Sequence, residues 1–395
     1  MDVFVFDLLH YAENIEKFRV DGVMPRLGKS YVDARIASRT YEEHLSAWVE
    51  LERLGFDGLA VNEHHNTPYG LMNSPNLMVA SIAQRTKKLK LLTYGNLLPL
   101  HDPLRLAEEI AMLDCLSNGR LIAGVARGAP REYRVYNIPA AESRARFEEG
   151  FEIMKRAWTE ESFTFGGKFH TYKDVAIWPR PMQNPHPPVW VPVTGSKETI
   201  EWAAEHDMCI TPGVSRHGTA REDIIRHYAK CQAQFGRKVT PQHFNLMVDC
   251  YVADSKAQAV KEYGPHYTYF WNTLINYDHD AGDAQKGYYS AEAHKHMRSG
   301  ATGTLAGTER PRAMQMTMES FAQAAETMAM GTPDEVAERI IDEAEEAGAH
   351  TLLLSCNRAL PHEAFLNQIR RIGEEVLPRL KAHQIKRVKF AEGIA

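Results

Sequence analysis

The sequence predicts an α/β fold, a (β/α)8 TIM barrel with insertions at its C-terminal face. Eight apolar runs of strand length alternate with segments of helical periodicity along 395 residues. Several of the runs end abruptly in polar residues, and a barrel collects such strand ends on one rim. The rival is a doubly wound open sheet, which calls for a GxGxxG turn after its first strand. This chain has none there. A barrel needs about 250 residues. The chain therefore reads as one barrel domain over 1–395, its surplus lying in insertions at about 12–39 and 264–325.

Val3–Leu9 reads as the first strand, and the basic, glycine-bearing segment 12–39 as a long loop. Thr40-Tyr41-Glu42-Glu43 has the form of a capping box that starts a helix, which Gly55 stops. Gly58–Asn62 is the second strand, Leu77–Arg85 a helix, and Leu89–Tyr94 the third strand. Asp102 followed by Pro103 starts a helix with Leu106, Ile110 and Leu113 on its apolar face. Arg120–Val125 is the fourth strand. Ser143 is expected to cap a helix whose buried side holds Phe147, Phe151, Met154 and Trp158. Six prolines between Trp178 and Pro192 exclude a helix and deliver the strand Val189–Val193. Short strands follow at Met208–Ile210 and Phe244–Val252, with a helix at Ile224–Phe235 between them. The glycine-rich span 264–325 has weak periodicity and reads as a lid. Thr332-Pro333-Asp334-Glu335 starts a helix, and Thr351–Leu354 and His362–Leu380 close the pattern.

A net charge of −5 leaves no basic footprint for nucleic acid. No apolar run is long enough to span a bilayer, and the N-terminus lacks the marks of a signal peptide. Five scattered cysteines form neither a disulfide framework nor a metal-ligand spacing, which suits a reducing cytoplasm and no bound metal.

The polar strand ends are His10, Asn62-Glu63-His64-His65, Asn96, Arg127-Gly128 and Gly195-Ser196. Arg127 offers a planar fork suited to phosphate. Ser196 and Thr199 open a helix, whose free N–H groups and dipole favour an anion. Plain alternatives are an N-cap for Ser196, a surface ion pair for Arg127 and no special role for Arg144. Barrels commonly bind phosphate after their later strands, which favours the site.

The motifs resemble those of the luciferase-like, flavin-dependent monooxygenases. The likeness runs through Glu63-His64-His65, Leu98-Pro99-Leu100-His101-Asp102-Pro103, and Asn118-Gly119-Arg120 to Arg127-Gly128. It continues through Tyr133-Arg134-Val135-Tyr136, Glu142-Ser143-Arg144, Gly195-Ser196-Lys197-Glu198-Thr199 and Gly331-Thr332-Pro333-Asp334-Glu335. The resemblance implies a dimeric (β/α)8 barrel that takes reduced FMN from a separate flavin reductase. With O2 it would oxidise a small, largely apolar organic substrate through a C4a-peroxyflavin. It implies an FMN phosphate site at Arg127, Arg144, Ser196 and Thr199, with Gly195 beside it. His64 matches the family's catalytic histidine, whereas His65 matches no role but a structural one. Tyr94-Gly95-Asn96 matches the place of a non-prolyl cis peptide under the flavin, and 272–312 the family's mobile active-site loop. Two departures concern the light-emitting members: Ala126 stands where they carry a reactive cysteine, and Gly195 where they carry an acid. Other readings are hydride transfer with the deazaflavin F420, or a non-catalytic flavin-binding subunit. Against the second stands His64; the phosphate motif leans against the first.

Overall fold

Strand pairing follows from the apolar runs, each of which must bury both faces. A computed structural model describes residues 1–13, 29–193, 196–212, 219–274 and 316–394. Its strands are β1 (Asp2–Asp7), β2 (Gly58–Val61), β3 (Lys90–Leu97), β4 (Leu121–Ala126), β5 (Phe163–Gly166), β6 (Thr171–Val175), β7 (Val189–Val193), β8 (Cys209–Pro212), β9 (Asn245–Val252), β10 (Ala329–Gly331) and β11 (Thr351–Ser355). The main sheet is parallel, in the order β10-β9-β11-β1-β2-β3-β4-β7-β8. An isolated parallel bridge between Ile210 and Phe244 brings the β8 end against β9. Eight strands thus close into a (β/α)8 barrel, and they are the eight expected from the sequence. β10 lies outside that ring, extending β9 through the Ala329–Cys250 register.

The barrel is filled, as near-continuous apolar strands require. Phe4 of β1 stacks on Trp190 of β7, with ring centroids 6.0 Å apart. Gly58 makes room for them, because a Cβ there would meet the Phe4 ring at 2.5 Å. Outside the barrel, the buried Asp7 carboxylate accepts from His44 and from the Trp48 indole at 2.8 Å. Burial alone would raise its pKa, but those donors and the Leu9 N–H hold it down at about 2. This ionised group ties helix Ala34–Leu54 to the end of β1.

Several local expectations change. The first helix starts at Ala34, not Thr40, because Asp33 caps it by accepting from the Arg35 N–H at 2.8 Å. Thr40 instead bonds back to the Ile36 carbonyl at 2.9 Å, inside the helix. Ser143 is the first helical residue and buried, so the cap position belongs to Glu142. Within the expected lid, helix Lys256–Tyr269 runs through Pro265 into a π turn at Phe270–Leu274, and a further helix spans Met318–Ala325. Residues 275–315, most of the expected mobile loop, lie outside the described residues, as does most of the segment 12–39. The antiparallel hairpin β5–β6 and helix Pro130–Val135 were not anticipated.

β3 and β4 approach so closely that no side chain fits between them. A Cβ on Gly124 would sit 2.0 Å from the Thr93 carbonyl oxygen, whereas Gly166 has nothing within 4 Å. Gly124→Ala should lower stability by about 1–3 kcal/mol or prevent folding, since the obstructing atom is backbone. Gly166→Ala should leave the urea midpoint nearly unchanged. Equal midpoints for the two variants would refute this packing.

Candidate functional site at the carboxyl face of the barrel

The carboxyl ends of β2, β3 and β4 meet around one buried carboxylate. Glu63, 1% exposed, accepts from the Leu97 N–H at 2.9 Å, from His101 Nε2 at 2.9 Å and from His65 Nε2 at 2.6 Å. His65 Nδ1 then accepts from the Tyr136 hydroxyl at 2.9 Å. Burial opposes ionisation of Glu63, but the His101 and His65 hydrogen bonds and the Leu97 N–H bring its pKa to about 2. For His101, burial acts to lower the pKa, and the bond to Glu63 more than reverses it. His65, for which the sequence offered only a structural role, belongs to this cluster.

His64 points elsewhere. Its Nδ1 lies 2.9 Å from Glu132 Oε1, and the Tyr69 ring meets it edge-on at 4.6 Å. Glu132 is the third residue of helix Pro130–Val135, and its Oε2 accepts from the Ala129 N–H at 2.8 Å. Gly128, at φ 84°, lets the chain turn from β4 into that helix. The Tyr133 hydroxyl donates to the Arg127 carbonyl from the same helix. Sequence reasoning missed Glu132, although Pro130 at the first helical position with Glu three places past Ala129 is a readable helix start.

The Tyr94–Gly95 peptide bond is cis and interrupts the β3–β4 register between Thr93 and Asn96. Gly95 sits against β4, where a Cβ would lie 3.0 Å from the Val125 carbonyl carbon. Tyr94 is buried, and burial pushes its hydroxyl pKa well up. Asn96 donates to Thr93 Oγ1 at 3.2 Å, and its buried amide oxygen has no partner among the described residues.

Further round the rim, helix Lys197–Glu205 begins at Ser196. Arg144 Nη2 donates to Thr199 Oγ1 at 2.7 Å and lies 3.4 Å from Ser196 Oγ. Ser196 does not cap the helix with its side chain; it donates to Glu198 Oε2 at 2.6 Å. That bond, and the charges of Arg144 and Arg127, hold the Glu198 carboxyl below its usual range. The fold thus brings Arg144, Ser196 and Thr199 together beside Glu198, whose carboxylate also feels the charge of Arg127. Gly195 lies outside the described residues. A cavity of about 670 Å³ opens on the β1 side of the rim, lined by His10, His44, Tyr269, Leu360 and Phe365 among others. His10 meets the Tyr69 carbonyl through Nδ1 at 2.6 Å, so Tyr69 stands between this cavity and His64.

The sequence profile of the luciferase-like monooxygenases matches residues 25–351. The chain belongs to the luciferase-like monooxygenase family. Membership makes it a flavin-dependent oxidoreductase that acts with O2. Uncharacterized protein y4wF of Sinorhizobium fredii is 30% identical over 359 residues, covering 88% of this chain and 94% of that protein. The oxygenase component of the flavin-dependent trigonelline monooxygenase of Acinetobacter baylyi is 28% identical over 246 residues, 60% of this chain and 67% of that protein. Among solved structures, monooxygenase RslO1 from Streptomyces bottropensis superposes with a TM-score of 0.71 at 27% identity, covering 96% of this chain and 99% of that one.

The rim cluster has a definite pH range. Glu63 has its pKa depressed from 4.5 to about 2, so its contribution is present above pH 4.5 and lost as pH falls towards about 2. His101 is raised from 6.5, so its contribution is present below 6.5 and lost as pH rises through its folded value. Wild type should therefore exceed Glu63→Gln most between pH 4.5 and 6.5. The acid-side loss should be on the order of 2–3 kcal/mol, read from urea midpoints. A wild-type advantage that stayed constant down to pH 2 would refute an ionised Glu63.

Proposed function

We propose that this chain is the oxygenase component of a two-component, FMN-dependent monooxygenase. The observation that carries this reading is the cationic cradle at the start of helix Lys197–Glu205. There one guanidinium bonds Thr199 and approaches Ser196, while Arg127 acts on the same Glu198. Two guanidinium groups, two hydroxyls and a helix N-terminus form a donor set that fits a phosphate monoester. The unmet Asn96 amide oxygen is suited to a ring bearing an N–H donor. Arg127, Arg144, Ser196 and Thr199, flanked by Gly195, would hold the FMN phosphate, and Tyr94, Gly95 and Asn96 would support the ring.

Reduced FMN supplies the electrons that activate O2 when bound. This chain's residues bind, orient and manage protons. His64 is the proposed proton-handling residue, since an imidazole exchanges protons near neutrality. The cavity beside His10 and Tyr269 has the size of a small-molecule site, typically about 300–1,000 Å³. Its lining mixes Leu360 and Phe365 with Glu13, Glu43, His44 and His266, so a largely apolar substrate rests on the family resemblance alone. A separate flavin reductase is the expected partner, as the name of the trigonelline oxygenase component suggests. The family resemblance adds a homodimer, and five free cysteines suit the cytoplasm. No helix among the described residues is long and apolar enough to cross a membrane.

Fluorescence titration with FMN, riboflavin and F420 tests the cofactor. Arg127→Ala or Arg144→Ala should weaken FMN by about 10–100-fold while leaving riboflavin nearly unchanged, as a charge-assisted contact contributes about 1.5–3 kcal/mol. Glu198→Gln should tighten FMN several-fold at low salt, with the gain shrinking as salt screens the carboxylate. Wild-type affinities equal for FMN and riboflavin would remove the phosphate site, and a preference for F420 would remove the monooxygenase reading.

The chain alone should not oxidise NADH at a useful rate when mixed with FMN, for it carries no dinucleotide fingerprint. Absorbance at the nicotinamide band would follow this, and sustained NADH loss without added reductase would overturn the two-component assignment.

A further inference from the structure

We propose that Glu132 is the positioning residue for His64: it holds the neutral imidazole in the Nδ1–H tautomer, with Nε2 as the unprotonated nitrogen. The inference rests on the reading of His64 given above. The short bond alone would not carry it; the way the carboxylate is anchored does. Glu132 is 1% exposed, and Oε1 meets His64 Nδ1 at 2.9 Å while Oε2 receives the Ala129 N–H at 2.8 Å. In its ionised form a carboxylate accepts and does not donate, so the nitrogen facing it bears the proton. The same logic fixes histidine tautomers in catalytic triads.

The helix that carries Glu132 is itself pinned on both sides. Tyr133 donates to the Arg127 carbonyl, and Tyr136 at the helix end donates to His65. The His64 backbone is held as well, its N–H on the Met72 carbonyl at 3.1 Å and its carbonyl under Asn73 at 2.9 Å. The Tyr69 ring closes another side, edge-on at 4.6 Å and 69°. Rotation of the imidazole would sacrifice the Glu132 bond. Glu63 is turned to other partners, its oxygens meeting His65, His101 and the Leu97 N–H.

Ring-15N-histidine spectra of the flavin-free protein test this directly, with His64 assigned by its loss in His64→Asn. In wild type the neutral His64 ring should carry its proton on Nδ1. Glu132→Gln should move at least half of it to Nε2, since an amide N–H can donate to Nδ1. Glu132→Asp should restore the wild-type pattern in part. A purely structural Glu132 would leave the tautomer alone. Identical His64 spectra in wild type and Glu132→Gln would overturn the proposal, as would a wild-type ring protonated on Nε2.

A second measurement separates this from the function of His64. Photoreduced FMN is bound, and its reoxidation by O2 is followed by stopped flow. Glu132→Gln should reproduce the rate change of His64→Asn, about 10²-fold or more, with the FMN affinity within about twofold. A tautomer governed by Glu132, together with a rate that ignores His64→Asn, upholds the positioning and overturns the catalytic reading of His64.

Discussion

The Glu63 carboxylate is buried, ionised and shared among His65, His101 and the Leu97 N–H. Removing such a charge from water is costly, and only several good donors offset that cost. Two of those donors, the Leu97 N–H and His101, come from the end of β3 and the turn after it, so one group locks the exit of β2 to that of its neighbour. The lock also sets the direction of His64. In extended chain, alternate side chains share a face. With Glu63 and His65 turned together, the residue between them lies on the other side, against Glu132 and Tyr69.

The anion cradle stands on the same rim and is mechanically tied to that arrangement. Helix Pro130–Val135 touches both: Tyr133 holds the Arg127 carbonyl, Glu132 holds His64, and Tyr136 just beyond it holds His65. The cradle answers its own positive charge with Glu198, a bond that an incoming phosphate would have to replace. In the proposed reading, a charged ligand and a proton-handling residue would thereby be kept in a fixed relation, which is what oriented chemistry needs.

Much of this was legible beforehand, and the errors have definite causes. All eight barrel strands were readable because a buried parallel strand must be apolar on both faces. The helix starts at Asp102 and Thr332 were readable too, because capping is local: Asp102 accepts from Arg105 N–H, and Thr332 and Glu335 cap each other. The start at Thr40 was misread because its capping-box spelling recurs within a helix already begun at Asp33. The lid expected over 264–325 overlaps the end of helix Lys256–Tyr269, which accommodates Pro265. The β5–β6 hairpin escaped because its residues are mostly exposed and lack a strong period.

What the sequence by itself determined is the barrel and the polar identity of its strand ends; the phosphate site proposed at Arg127, Arg144, Ser196 and Thr199 came from the family resemblance. The first two follow from local composition, periodicity or a short motif. What only the tertiary structure decided is who faces whom. Glu132 lies 68 positions from His64, and His101 lies 38 from Glu63. Such pairs leave no periodic trace along the chain. They are set by the strand order β1-β2-β3-β4, by the register shift in β3 between Thr93 and Asn96 and by the turn at Gly128, which bring distant carboxylates and imidazoles within hydrogen-bond reach. A hydrogen bond is decided by tenths of an ångström, and that distance exists only after the strands have packed.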